Sequence, residues 1–153
     1  MLRPIINVEK FKNAYFDIPY GNISDAQKLD IFLPDNQNGP YPVIISIHGG
    51  AFKMGDKRNG EMIEPMLPGL EKGYAVIGIN YRLSGEAKFP EPVKDIKRAI
   101  RFIKANSEKY NLDKEKIVVW GGSAGGYFTL MSAVFSNLED FNDDTDPNFN
   151  ILL

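Results

Sequence analysis

A glycine-rich turn between two apolar segments constrains this chain more than any other feature. Residues Ile117 to Trp120 are a β-branched and aromatic run, which predicts a strand buried on both faces. The apolar segment from Tyr127 to Leu138 is long enough for a buried helix. Ser123 lies between them, in the pattern Gly121-Gly-Ser-Ala-Gly125. The sequence therefore predicts a strand that turns sharply into a helix, with a serine at the apex.

The glycines at both ends of this pattern agree with the geometry of such a turn. The turn strains the backbone of Ser123, so a side chain two residues before or after it would clash. Gly121 and Gly125 remove that clash and let the serine Oγ stand clear of the sheet. Taken alone, the motif also fits a glycine-rich turn that has no catalytic role. The other motifs of the chain are needed to distinguish this interpretation from a turn that carries a reactive serine.

Four further strands are predicted before this turn, at residues 13–18, 28–33, 42–47 and 74–80. The second strand alternates in hydrophobicity, which places Asp30 and Phe32 on a solvent-facing side of an outer strand. The third strand is more continuously apolar and is therefore expected to be central in the sheet.

Two helices are predicted among these strands. The segment 61–72 has apolar residues at helical spacing, but it contains two prolines and is expected to be short or broken, with Gly73 as a stop. The clearer helix covers residues 92–110, where an apolar stripe recurs and Pro92 suits the first helical position.

Charged residues are concentrated in two places. The basic side chains of the second helix lie mostly outside its apolar stripe: Lys94, Lys97, Arg98, Arg101 and Lys104. We interpret them as a solvated helix face rather than a binding patch. The acidic stretch 139–147 lacks the glycine and the terminal glutamate of a calcium loop, so we interpret it as a solvated loop.

Composition excludes several functional classes. The formal net charge of −2 leaves no basic footprint for nucleic acid or for an anionic membrane. There is no cysteine for a disulfide framework. No signal-peptide core and no run approaching a membrane span is present, so a cytoplasmic location is the default expectation. The chain has a single histidine, His48, which limits the groups available for catalysis.

Together these motifs resemble the α/β-hydrolase family, in particular its bacterial carboxylesterase and hormone-sensitive-lipase-like branch. The resemblance covers about residues 28–138 and rests on His48-Gly-Gly-Ala-Phe52, Asn80-Tyr-Arg-Leu83, Asp95 and Gly121-Gly-Ser-Ala-Gly-Gly126. It implies an α/β fold with a mostly parallel sheet flanked by helices, truncated after the nucleophile-elbow helix. Residues 1–153 would then be a single partial domain: outer strands and a turn at 1–40, a β-α-β-α-β-α core at 41–138, and an acidic loop with the start of a further element at 139–153.

The resemblance also implies an active site for acyl transfer, which needs a nucleophile and donors aimed at the developing oxyanion. Ser123 would be the nucleophile, and the backbone amides of Gly50, Ala51 and Ala124 would form the oxyanion hole. Ala51 replaces the third glycine of the family's His-Gly-Gly-Gly pattern and still supplies an N–H.

Other residues of these motifs are expected to support the site. By the resemblance, His48 would hold the oxyanion loop in shape rather than act as the base. Gly49, Gly121 and Gly125 would support the loop and the elbow. Arg82 and Asp95 are expected to be structural, through hydrogen bonds or a salt bridge.

The acid and the histidine of a catalytic triad do not appear in this pattern. In the family the order is Ser, then Asp or Glu, then His, and the 30 residues after Ser123 contain no histidine. We therefore expect a serine hydrolase of small-molecule carboxylic esters that carries the nucleophile and oxyanion hole but not the rest of the triad, with no cofactor and no metal. The alternative is a non-catalytic α/β module that associates with another chain. In either case the strand at 117–120 is expected to be an exposed edge through which the chain self-associates.

Overall fold

A computed structural model describes residues 4–35, 38–136, 138, 141–148 and 150–153. All five predicted strands are present, and they are β1 (Ala14–Pro19), β2 (Lys28–Phe32), β3 (Tyr41–Ile47), β4 (Ala75–Ile79) and β5 (Leu112–Gly121). The helices are α1 (Gly60–Ile63), a 3₁₀ helix (Leu67–Lys72), α2 (Glu91–Ala105) and α3 (Ala124–Val134). Within these described residues, no helix is both long and apolar enough to cross a bilayer.

The strands form one mixed sheet in the order β1-β2-β4-β3-β5. β3 pairs in parallel with both β4 and β5, whereas β2 pairs antiparallel with β1 and β4. β3 is therefore internal, as its continuous apolar pattern predicts. β5 lies at one edge, and the prediction that residues 117–120 are buried on both faces is wrong, because Val118 is 59% exposed. The buried helix predicted at 127–138 is also corrected, because α3 ends at Val134 and its Leu130 and Val134 are exposed. The carboxyl ends of β3 and β5 meet at the same end of the sheet, so the loops that follow them are neighbours.

Helices cover both faces of the sheet. The apolar stripe of α2, which includes Val93, Ile96 and Ile100, packs with Phe128 of α3 on one face. Ile63 of α1 packs against the other face, together with apolar residues of the 3₁₀ helix. This layered arrangement follows from a parallel core whose strands are apolar on both sides.

The broken helix at 61–72 is confirmed, because one turn of α-helix and a separate 3₁₀ helix occupy this segment. Gly73 ends the 3₁₀ helix with a φ of 85°. The prediction for α2 was less accurate. The helix begins at Glu91, so Pro92 is not its first residue, and it ends five residues before the expected position 110.

The prediction that β2 is a half-exposed outer strand is wrong. β1 pairs outside it, and both Asp30 and Phe32 are fully buried. Asp30 tolerates burial because its carboxylate receives the guanidinium of Arg58, with Nε to Oδ2 at 2.6 Å, and lies 3.4 Å from Nζ of Lys57. A buried carboxylate with charged partners is far less costly than an isolated one.

The solvated basic face predicted for α2 is also wrong, because Lys97, Arg98 and Arg101 are buried. The chain after α3 folds back over them. Arg98 Nη2 lies 3.2 Å from Asp143 and donates to Oγ1 of Thr145 at 2.7 Å. The acidic stretch is therefore not a freely solvated loop where the structure describes it.

Lys97 donates three hydrogen bonds on this face. Its ammonium donates to the carbonyl oxygens of Phe135 and Leu138 at 3.0 and 3.3 Å, and to Oδ1 of Asn142 at 2.9 Å. Phe135 is the C-cap of α3, so a positive charge lies at the negative end of that helix. Burial, together with the charge of Arg101, lowers the pKa of Lys97 to about 8.

Replacing Lys97 with methionine tests this arrangement. Methionine keeps much of the side-chain volume but removes the three hydrogen bonds that Lys97 donates, so we expect Lys97→Met to lower the free energy of unfolding by about 1–3 kcal/mol. Lys94→Met is the matched control, since Lys94 is partly exposed and pairs with Glu91 at 3.0 Å. It should cost less than about 1 kcal/mol in urea unfolding. Equal effects of the two variants would contradict a buried role for Lys97.

Candidate active site

Ser123 occupies a strained turn between β5 and α3. Its φ is 55° and its ψ is −120°, in a region that side-chain-bearing residues rarely adopt, and the residue is exposed to solvent. Such a conformation costs on the order of 1–3 kcal/mol and persists only when the surroundings impose it. The predicted strand-to-helix elbow with a projecting serine is therefore the geometry that the chain adopts.

Close backbone packing imposes this turn. A Cβ placed on Gly125 would lie 2.0 Å from the carbonyl oxygen of Ile47, the last residue of β3. A Cβ on Gly121 would lie 2.5 Å from the carbonyl carbon and oxygen of Gly125. Both glycines are thus required by contact with backbone that has no room to move.

The loop after β3 turns back on itself through a series of left-handed residues. Gly50, Ala51 and Phe52 have φ values of 133°, 52° and 62°. The carbonyl oxygen of Gly50 accepts hydrogen bonds from the amides of Lys53 and Met54, at 3.0 and 3.1 Å. The positive φ of Ala51 strains its backbone, whereas glycine at the same position would not be strained. The sequence motif gave no sign of this energetic cost.

The loop and the elbow are in contact. A Cβ placed on Gly49 would lie 3.2 Å from the Cβ of Ser123 and 2.8 Å from the carbonyl oxygen of Gly122. Within the described part of the chain, the backbone amides of Gly50, Ala51 and Ala124 donate to no protein acceptor. The structure thus places a projecting serine next to a loop with unpaired N–H groups.

His48 is buried beneath this loop. Its Nδ1 lies 2.9 Å from the carbonyl oxygen of Gly49, and its ring stacks on Tyr81 at 4.5 Å between centroids. The Tyr81 hydroxyl donates to the carbonyl oxygen of His48 at 2.9 Å. Burial lowers the pKa of His48, so the imidazole is neutral at pH 7, and we assign Nδ1 as the donor to Gly49. These contacts fit a residue that holds the loop in shape.

The predicted salt bridge between Arg82 and Asp95 is confirmed and is buried. Nη2 of Arg82 donates to Oδ1 of Asp95 at 2.8 Å, and Nε to Oδ2 at 2.9 Å. Gln27 donates to the same carboxylate at 2.8 Å. Hydrogen bonding to Asp95 raises the pKa of Arg82, so the guanidinium is charged throughout the physiological range. It fixes the chain after β4 onto α2.

A second anchor of the site was not identified from the sequence. Asn80, at the end of β4, accepts from the amide of Lys57 at 2.6 Å and donates to Asp56 at 3.0 Å. Lys57 and Arg58 also reach Asp30, so the segment that follows the loop after β3 is tied to both β4 and β2. The sequence signal for this anchor was the charge of Asp30 within an apolar strand. Its partners, Lys57 and Arg58, lie almost thirty residues further along the chain.

An apolar cleft opens beside the elbow, which the sequence also did not indicate. It has a volume of about 520 Å³ and lies between the loop after β3, the start of α3 and residues 84–93. The rings of Phe52 and Tyr127 meet edge to face at 5.5 Å at the end nearest Ser123. We call this space the aromatic cleft.

Among the described residues, no cluster of three or more metal-binding side chains occurs.

Comparison with known proteins shows the family to which the chain belongs. The family model described as BD-FAE matches residues 29–151, which is most of the chain. The chain belongs to the BD-FAE family. This BD-FAE chain is 38% identical over 136 residues to a Mycobacterium tuberculosis protein named probable carboxylic ester hydrolase LipM, and the match covers 87% of the chain but 29% of LipM.

Solved structures give the same result for the BD-FAE chain. It superposes on a bifunctional GH43-CE protein of Bacteroides eggerthii with a TM-score of 0.75 and 38% identity, covering 83% of this chain and 16% of that one. It superposes on a truncated form of a carbohydrate esterase from gut microbiota with a TM-score of 0.77 and 30% identity, covering 89% and 48%. The predicted α/β-hydrolase fold and the resemblance to carboxylesterases are confirmed. The chain spans less than a third of LipM and about half of the carbohydrate esterase.

The packing of Gly125 leads to a stability prediction. Gly125→Ala should lower the free energy of unfolding by more than about 3 kcal/mol, because its methyl group would overlap the end of β3 and force the elbow apart. Gly85→Ala is the control, since a Cβ there meets no atom within 4 Å, and should change stability by less than about 0.5 kcal/mol. Thermal or urea unfolding of both variants measures the difference. An unchanged midpoint for Gly125→Ala would mean that the tight turn lies elsewhere.

Proposed function

We propose that this chain supplies the nucleophile and the oxyanion hole of a serine hydrolase that acts on carboxylic esters through an acyl-enzyme. The observation that carries the proposal is the approach of the Gly49 loop to Ser123, because it brings an exposed serine next to unpaired backbone amides. In acyl transfer those are the two requirements, a nucleophile and donors for the developing negative charge.

The predicted nucleophile and oxyanion donors each have a role in this proposal. Ser123 Oγ attacks the ester carbonyl carbon, and the amides of Gly50, Ala51 and Ala124 stabilise the oxyanion of the tetrahedral intermediate. Collapse of that intermediate expels the alcohol and leaves an acyl-Ser123 ester, which water then hydrolyses. The names of LipM and of the carbohydrate esterase are consistent with this reaction class.

Proton transfer limits what the chain can do by itself. A serine alcohol has to lose its proton as it attacks, and in this reaction class a histidine normally removes it. The single histidine, His48, is neutral, but it is buried and engaged with Gly49 and Tyr81. It is a support for the loop in this proposal, not the base.

We therefore expect turnover of p-nitrophenyl esters by this chain alone to be at or near background. Added imidazole should supply the missing base, and the increase above the imidazole-catalysed rate should depend on Ser123. Ser123→Ala, assayed at the same imidazole concentrations, is the matched control. Robust turnover without imidazole that Ser123→Ala abolishes would reveal a base within the chain.

The alternative function is a non-catalytic α/β module that pairs with another chain. The engagement of His48 favours it, since that leaves Ser123 without a histidine base within these residues. A complete absence of Ser123-dependent turnover at every imidazole concentration would support this alternative over the hydrolase.

We also propose that the chain self-associates through β5. Among the residues that the structure describes, this strand pairs with β3 alone, and Val118 within it is 59% exposed. The register between β3 and β5 is interrupted opposite the charged residues 113–116, so the free apolar edge is confined to about residues 117–121. Charged residues and irregular pairing protect an edge strand from pairing with another chain, but only over the residues at which they occur.

Sedimentation at low micromolar concentration tests this edge. The chain should form dimers or larger species, and Val118→Lys should shift it toward the monomer by placing a charge on the edge. Ile23→Lys is a control at another exposed apolar residue, in the loop between β1 and β2. A monomeric parent chain at these concentrations would exclude self-association through β5.

A further inference from the structure

Tyr81 contacts both parts of the candidate site from behind. It follows the end of β4 and is only 1% exposed. One contact of its ring is the stack on His48, at 4.5 Å between centroids and 13° between planes. The other is an edge-to-face contact with Phe128 of α3, also at 4.5 Å. Tyr81 therefore lies between the base of the loop after β3 and the helix that begins at the elbow.

The hydroxyl of Tyr81 fixes one backbone carbonyl of the loop. It donates to the carbonyl oxygen of His48 at 2.9 Å. Burial raises the pKa of Tyr81, so the phenol keeps its proton at physiological pH and remains a donor. The same carbonyl oxygen faces the start of α3, because a Cβ placed on Gly125 would lie 3.0 Å from it. This carbonyl is thus fixed between the Tyr81 hydroxyl and the elbow helix.

A fixed carbonyl also fixes the amide that follows it. In a planar trans peptide the N–H points opposite to the C=O of the preceding residue. The bond from Tyr81 to the His48 carbonyl therefore sets the direction of the Gly49 N–H. In the same way, the bond from Nδ1 of His48 to the carbonyl oxygen of Gly49 sets the N–H of Gly50. The Gly50 carbonyl, which accepts two hydrogen bonds from within its own loop, sets the N–H of Ala51.

Tyr81 controls the first two of these peptide planes. It holds the first directly, through its hydroxyl. It holds the second through its ring, because the stack keeps the imidazole of His48 where Nδ1 reaches Gly49. This matters most for Gly50, whose φ of 133° belongs to a residue type with little conformational preference of its own. Without Tyr81, the direction of the Gly50 N–H would lose both constraints.

The residues on either side of Tyr81 are anchored independently of the loop's own hydrogen bonds. The side chain of Asn80 donates to Asp56 at 3.0 Å, and the amide of Arg82 donates to the buried carboxylate of Asp95 at 3.0 Å. Tyr81 is therefore part of the rigid framework around β4 and α2. A side chain held in this way can impose a position on the loop rather than follow it.

We propose that Tyr81 is a positioning residue for the oxyanion hole, which directs the amide of Gly50, and with it that of Ala51, toward the carbonyl oxygen of an ester at Ser123. The inference rests on the proposed function, because it assumes that these amides are the oxyanion donors. Tyr81 touches no reacting atom and acts through His48 and Gly49. Donors of this kind stabilise an oxyanion only when they already point at it, so their direction decides their effect.

The test measures the loop and its donors rather than turnover. Backbone amides of the ¹⁵N-labelled chain are followed by NMR while sodium acetate is added, with sodium chloride at equal ionic strength as the reference. Acetate is the probe because its carboxylate oxygen accepts hydrogen bonds as the oxyanion would. In the parent chain it should shift the amides of Gly50, Ala51 and Ala124, and the titration gives its dissociation constant.

Two variants remove the contacts of Tyr81 in steps. Tyr81→Phe keeps the ring, and with it the stack and its ring-current shifts, but removes the hydroxyl. The amide resonances of Gly50 and Ala51 should therefore move before acetate is added, and the dissociation constant for acetate should rise about three- to fivefold. Tyr81→Leu also removes the stack and should raise the constant about tenfold or more. If Tyr81→Leu does not fold, Tyr81→Phe decides the question.

Tyr20→Phe is the matched control. Tyr20 is also buried, and its hydroxyl also donates to a backbone carbonyl, that of Asn80 at 2.6 Å. Its bond is made to the end of β4 rather than to the loop after β3. Tyr20→Phe should lower the unfolding midpoint about as much as Tyr81→Phe, but it should leave the Gly50 and Ala51 resonances and the acetate constant unchanged.

Two results would overturn the inference. One is a Tyr81→Phe chain whose Gly50 and Ala51 resonances and acetate constant equal those of the parent. The other is an equal change of these quantities in Tyr81→Phe and Tyr20→Phe, which would reduce the effect to a general loss of stability. If acetate shifts none of the three amides in the parent chain, the proposed oxyanion hole is contradicted instead. The loop resonances of Tyr81→Phe without acetate then still show whether Tyr81 positions the loop.

Discussion

The contact between Gly125 and the carbonyl oxygen of Ile47 is the constraint on which the rest of the site depends. It brings the start of α3 against the end of β3 with no space for a side chain. The turn between β5 and α3 must then be tight, and Ser123 is forced into its unusual backbone conformation. The same approach brings the loop after β3 to the serine. Fold, strain and site geometry therefore have one common origin in the backbone packing of the start of α3 on the end of β3.

Buried charges hold the surrounding loops to this packed centre. Asp30 and Asp95 are each fully or almost fully buried, and each binds an arginine. Removing one member of such a pair leaves an uncompensated buried charge, which costs much more than the pair itself contributes. Their main effect is therefore to define where the loops lie. The chain after β4 and the segment that follows the loop after β3 both have one favourable position.

The sequence predicts the strands and the elbow because each depends on neighbours within a few positions. Periodicity identified all five strands, and the glycines around Ser123 indicated a turn whose strain the structure displays. Long-range pairing has no such local signal. The burial of Lys97 depends on oxygens 38 to 45 residues further along the chain, and the burial of Asp30 depends on Arg58. A charged residue is therefore predicted to be exposed to solvent as long as its partner in the fold is unknown.

The aromatic cleft was missed for the same reason, since Phe52, Phe89 and Tyr127 come from three separate loops and helices. Each is unremarkable in its own segment. Only the sheet order, which places β3 between β4 and β5, brings the loops that carry them together at one end of the molecule.

The backbone conformation of Ser123 has an evolutionary consequence. Glycine adopts a positive φ freely. Replacing Ser123 with glycine would therefore remove the hydroxyl and relieve the backbone strain in the same step. Stability and chemistry thus favour different residues at the same position. A lineage that stopped using the hydroxyl would drift toward glycine there, whereas one that uses it must keep a less stable turn.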